Sequence, residues 1–159
     1  MTPDPSHERS IIAAQGYLEL GMFVHARKEV EQLPQTLHGR ADVLEILALS
    51  LMGESRWEEA LSVASDLCVL QPSEPSGYIH KAYCLHEMGR TADALVVLLS
   101  GPEALKRKSV FFYNVGCYHA RLGQIDEAMK MLRKSFELDA ALRKSARRDP
   151  DLVSVKALI

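Results

Sequence analysis

The residues of this sequence best suited to metal or nucleophilic chemistry are three cysteines, Cys68, Cys84 and Cys117, and the histidines His80, His86 and His119. A helix offers ligands to one metal from positions three or four apart, and only His80 with Cys84 meets that spacing. The cysteines form no CxxC pair, so they read as three buried thiols in a reducing compartment, and no metal site is expected. Two basic runs, KRK (106–108) and RKSARR (143–148), could approach phosphate groups. They lack interleaved aromatics and stand against 21 acidic residues, so solvated faces are the expected reading. No G-x-S-x-G, P-loop, dinucleotide-type glycine cluster or HExxH motif occurs. Without a nucleophile and base at defined spacing the chain is not expected to be an enzyme, and no cofactor is implied.

The elements that carry these residues are helical. Apolar residues make up 47% of the 159 and charged residues 25%, with aromatics at only 6%, a balance that suits a mostly helical globular chain of about one domain. The net charge of −2 argues against a dedicated nucleic-acid binder. The start, MTPDPSHERS, carries acid and proline where a signal peptide needs basic and then apolar residues, and no apolar run approaches the length of a membrane span. A soluble cytoplasmic protein without a membrane partner is expected.

A repeat organises the chain. FVHARKEV (23–30), WEEALSVA (57–64), TADALVVL (91–98) and IDEAMKML (125–132) align on Ala26, Ala60, Ala94 and Ala128, each 34 residues from the next. Gly21, Gly89 and Gly123 precede three of these segments at one distance, as residues that can end a helix in the left-handed conformation. In the second copy the glycine, Gly53, comes two residues early and Ser55 occupies the common position. Upstream of each turn lies another amphipathic segment with its own small residue, Ala14, Ala48, Ala82 or Gly116, again 34 apart. Each unit is therefore helix, turn, helix. Its two small positions let the paired backbones approach closely.

At these positions the sequence resembles the tetratricopeptide repeat family, whose unit is a 34-residue helical hairpin. The resemblance implies an all-α fold, a right-handed superhelical solenoid of four hairpins (about 7–40, 41–74, 75–108 and 109–142) within one domain spanning 1–159. The family's aromatic before the second-helix alanine is Phe23 and Trp57 here, but Thr91 and Ile125 in the last two copies, and its closing proline is present only as Pro72. Pro34 and Pro102 fall late in the second helices of copies one and three, 68 residues apart, and should stop those helices early. Copies two and four should run to full length. Beyond residue 142 the segment 143–159 carries Leu152, Val153, Val155, Leu158 and Ile159 behind a start in which Asp149 can cap and Pro150 can open the first turn. It is expected to form a helix that caps the last hairpin.

In such arrays the concave side is lined by the first helices of the hairpins. Helical spacing draws one stripe there through Ile11, Gln15 and Leu18, then Glu45, Leu49 and Met52, then Ile79, Tyr83 and His86, and then Tyr113, Cys117 and Ala120. Its leucines, tyrosines and methionine suit a peptide or protein segment, and Asn114 corresponds to the family's backbone-binding asparagine. Ile11 and Gln15 cannot supply the charge of a carboxylate clamp. The expected role is a protein-interaction scaffold or adaptor, with a chaperone of a bacterial secretion system or a self-associating structural protein as alternatives. Small bacterial members of the repeat family are similar over the whole chain, and a homo-oligomer would cover the same stripe.

Overall fold

All four hairpins implied by the 34-residue spacing are formed. The computed structural model describes residues 4–159, in which α1 (Pro5–Glu19) pairs with α2 (Phe23–Glu31), α3 (Ala41–Gly53) with α4 (Trp57–Leu70), α5 (Pro75–Glu87) with α6 (Thr91–Leu99), and α7 (Ser109–Arg121) with α8 (Ile125–Leu138). No strand occurs among the described residues. The chain divides into two compact units, Met1–Pro72 and Ser73–Ile159, and each unit holds two hairpins.

The small residues sit where the paired helices meet. Ala14, Ala26, Ala48, Ala60, Ala82, Ala94 and Ala128 expose no surface. At Gly116 a methyl group would lie 2.8 Å from Cγ of Leu132 and 3.2 Å from the Ala128 carbonyl oxygen, so glycine is what lets α7 approach α8. The turns repeat as closely as the helices. In the first, the amide of Gly21 donates to Leu18 O at 3.0 Å and that of Met22 to Tyr17 O at 2.8 Å, the crossed pair that closes a helix on a left-handed residue. The same pair recurs around Ser55, Gly89 and Gly123. All four residues have positive φ, from 57° at Ser55 to 79° at Gly89. Gly53 has a different task, because a methyl group there would overlap the ring of Phe23.

Pro34 and Pro102 act as expected. α2 and α6 have nine residues, whereas α4 and α8 have fourteen. A residue before proline is pushed out of the helical region, so each short helix stops ahead of its proline. The proline then precedes a short 3₁₀ turn, Gln35–Leu37 in the first unit and Glu103–Arg107 in the second.

In the first unit, Ile11, Ala14, Ala26, Val30, Leu33, Val43 and Ile46 form one buried cluster. Arg27 on α2 reaches Glu54, just past α3, through two hydrogen bonds of 2.6 and 3.0 Å, and a further bond of 3.0 Å ties it to Glu31. In the second unit the C-terminal segment departs from expectation. A short α9 (Ala141–Ala146) is followed by a 3₁₀ helix, Pro150–Leu158, in place of an α-helix. Asp149 does cap it, accepting the Asp151 amide at 2.9 Å. Three residues per turn place Leu152 and Val155 on one edge, and both are fully buried against the fourth hairpin. Val153 and Leu158 stay exposed, so only part of the apolar set forms the cap.

Candidate functional site

The first helices carry the stripe drawn from the sequence, and the two units treat it differently. In the first unit Gln15 is exposed, while Leu18, Glu45, Leu49 and Met52 are half-buried. Ile11 is not a surface residue: it is 2% exposed, because α1 turns Ile11 and Ala14 together into the core cluster. In the second unit Ile79, Tyr113 and Asn114 are half-buried and Tyr83 is 38% exposed. His86 and Cys117, by contrast, are 8% and 3% exposed. Ala120 is buried as well.

Their burial has a local cause, since the start of the C-terminal 3₁₀ helix lies across these side chains. The Tyr113 hydroxyl donates to Oδ2 of Asp149 at 2.7 Å, and the Cys117 thiol approaches the same oxygen at 3.8 Å. Nε2 of His86 donates to Oδ2 of Asp151 at 2.9 Å, and Nδ1 lies 2.9 Å from the Thr91 hydroxyl. Arg121 stands 3.7 Å from the other oxygen of Asp151. The His86 ring also packs on Tyr118, with centroids 4.8 Å apart.

Between α5, α7 and this segment remains a recess of about 330 Å³. Tyr83, Tyr113, Tyr118, Glu87, Asp149 and Asp151 line it, together with His86, Asn114, Cys117 and Pro150. Its phenols and its thiol are held in their protonated forms. Burial, followed by the hydrogen bond to Asp149, raises Tyr113 well above the ordinary phenol range. Burial and then the charges of Asp149 and Asp151 raise the Cys117 thiol, and burial pushes Cys84, elsewhere on α5, up to about 11. Thiols so placed are poor nucleophiles. All three cysteines are buried thiols outside any disulfide, and among the described residues no group of three or more His, Cys, Asp or Glu side chains is arranged to hold a metal ion. The recess can bind, through hydrogen bonds, charge and aromatic surface.

Of the residues that line this recess, the stripe drawn from the sequence contains Tyr83, His86, Tyr113 and Cys117, with Asn114 named beside it, and does not contain Glu87, Tyr118, Asp149 or Asp151. Asp149 was legible only as a helix cap. The pair of acids around Pro150 was the available signal, but nothing local says which surface such a segment will cross.

A set of helical hairpins joined by left-handed turns, with a lined recess on its first helices, defines a helical-repeat scaffold. Residues 110–142 match the tetratricopeptide repeat family. Among solved structures it is similar to TTC0263, a thermophilic tetratricopeptide-repeat protein of Thermus thermophilus, with 19% identity, 87% of this chain and 78% of that one covered, and a TM-score of 0.73. It is also similar to MamA, residues 41 to the end, from Desulfovibrio magneticus RS-1, with 16% identity, coverage of 92% and 83%, and a TM-score of 0.76. At these identities the likeness is one of fold. No curated protein matches. Among the described residues no helix is long and apolar enough to cross a membrane.

Proposed function

We propose that the chain is a cytoplasmic protein-interaction adaptor that holds a peptide or protein segment on the first helices of its hairpins, with the principal contact on the third and fourth. The observation that carries this reading is Tyr83, an aromatic 38% exposed at the mouth of a recess lined by further tyrosines. Such a residue offers large contact area at low entropic cost, which is what interface anchors need. The C-terminal segment already occupies the Tyr113 and Cys117 side of the stripe, so an incoming segment has Tyr83, Asn114 and Glu87 as its contacts. Within the first unit, taken by itself, Gln15, Glu45, Leu49 and Met52 mark the same face of the first helices. Three buried cysteines outside any disulfide suit a reducing compartment. The test is equilibrium binding of mixed-sequence peptides to the full chain. Saturable binding that weakens about tenfold in Tyr83→Ala, roughly 1.4 kcal/mol, supports the reading when the helical circular dichroism is unchanged. Equal binding by the variant overturns it.

A second reading, self-association, is favoured by apolar residues exposed on the first hairpin: Ile12 at 65%, Leu20 at 74% and Val24 at 40%. Light scattering that returns a monomer at every concentration removes it.

A further inference from the structure

We infer that the recess between α5, α7 and the C-terminal 3₁₀ helix receives a basic side chain, a lysine ammonium or an arginine guanidinium, from the bound protein segment. This rests on the reading of that face as a peptide-binding surface.

Charge is the first ground. Glu87, Asp149 and Asp151 line the recess, and among the described residues no lysine or arginine does; His86, which also lines it, is engaged with Asp151 at 2.9 Å. Arg121, which approaches Asp151 from outside, is 3.7 Å from Oδ1, and its side chain is 57% exposed. Asp149 is held by neutral donors: a phenol and a thiol on Oδ2 and a backbone amide on Oδ1. These satisfy its lone pairs without neutralising its charge. A partly buried carboxylate in that condition favours an incoming cation.

The second ground is independent. Tyr118 is 1% exposed, and its hydroxyl has no hydrogen-bond partner among the described residues. Tyr118 lines the recess together with Cys117, Tyr83, Asp151 and Glu87. A buried hydroxyl left without a partner marks a place where a donor or acceptor is missing. An N–H group entering the recess completes it.

Shape and surface agree with both. The volume of about 330 Å³ is at the lower end for a ligand pocket and suits one long side chain. Three tyrosines provide the aromatic surface that attracts cations, and exposed Tyr83 can cover the apolar stem of a lysine or arginine whose charged end lies deeper. The negative field is also felt by Tyr83, which is raised first by burial and then by Glu87, with smaller contributions from Asp151 and Asp149. A field that opposes phenolate favours ammonium.

The experiment uses the full chain and four fluorescein-labelled hexapeptide mixtures with lysine, arginine, norleucine or glutamate fixed at one central position, read by anisotropy. The lysine and arginine mixtures are expected to bind at least about tenfold more tightly than norleucine, with glutamate weakest, and the preference should shrink as salt is raised. Glu87→Gln keeps the shape of an exposed side chain and should reduce the preference severalfold. Tyr118→Phe removes only the unpartnered hydroxyl, so it should fold normally and lower the lysine preference as well. If norleucine binds as tightly as lysine and both variants leave the ranking unchanged, the basic anchor is overturned while the binding surface stands. If no mixture binds, or if Tyr83→Ala binds all four as the parent does, the surface and the anchor fall together.

Discussion

The Tyr113 hydroxyl donates a 2.7 Å hydrogen bond to Oδ2 of Asp149, 36 residues further along the chain, and thereby fastens the C-terminal segment to the fourth hairpin. Asp149 also sets the first turn of that segment through the Asp151 amide. One carboxylate thus starts the 3₁₀ helix and fixes where it lies. Leu152 and Val155 follow and complete the seal.

Replacing Tyr113 by phenylalanine removes one bond to a charged acceptor and leaves the ring in place. The expected loss is about 1.5 kcal/mol. It should be local: amide hydrogen exchange over 150–158 becomes faster, while α1 to α4 keep their protection. An unchanged exchange rate in that segment would show that Leu152 and Val155 hold it without the hydrogen bond.

Gly53 and Ser55 lie two residues apart and predict opposite outcomes. A methyl group at residue 53 overlaps the Phe23 ring, so Gly53→Ala should destabilise by roughly 1–3 kcal/mol through overpacking. Ser55 occupies a left-handed conformation, φ 57°, that costs an ordinary residue energy. Ser55→Gly relieves it and should stabilise by up to about 1 kcal/mol, less the extra freedom glycine has when unfolded. Urea midpoints of the two variants, compared with the parent, give both signs in one experiment.

The Arg27–Glu54 contact predicts an acid limb in the stability curve. The hydrogen bond from Arg27 holds the Glu54 carboxyl below the usual glutamate value of about 4.3, with help from the charges of Arg27, Arg56 and Lys28. A carboxyl lowered on folding stabilises the fold above its unfolded pKa, and that contribution is lost as pH falls through the folded one. Glu54→Gln should therefore be less stable than the parent at pH 7, and the gap should narrow below about pH 4. A gap that does not change with pH would mean the glutamate contributes through packing.

How much of this was legible follows from which interactions are local. Ala26, Ala60, Ala94 and Ala128 declare a hairpin because helix approach depends on side chains at fixed spacing, and all four are fully buried. Pro34 and Pro102 declare early stops because their effect on the backbone is confined to a few residues. Helical spacing puts Ile11 on the surface stripe because that stripe and the core face of α1 are adjacent there, and spacing alone does not divide them. The landing place of Asp149 and Asp151 was not legible at all. It depends on Tyr113, His86 and Leu152 meeting from distant parts of the chain, and a sequence pattern records only neighbours. The empty hydrogen-bonding position of Tyr118 is visible only once that meeting has occurred.

The two helix-stopping prolines carry a further implication. Each compact unit contains one hairpin whose second helix has nine residues and one whose second helix has fourteen. The alanines repeat every 34 residues, but the lengths of the second helices repeat only every 68. The building block of this protein is therefore a pair of unlike hairpins, and adding or deleting a single hairpin would break the alternation of short and long helices, whereas adding or deleting a pair would keep it.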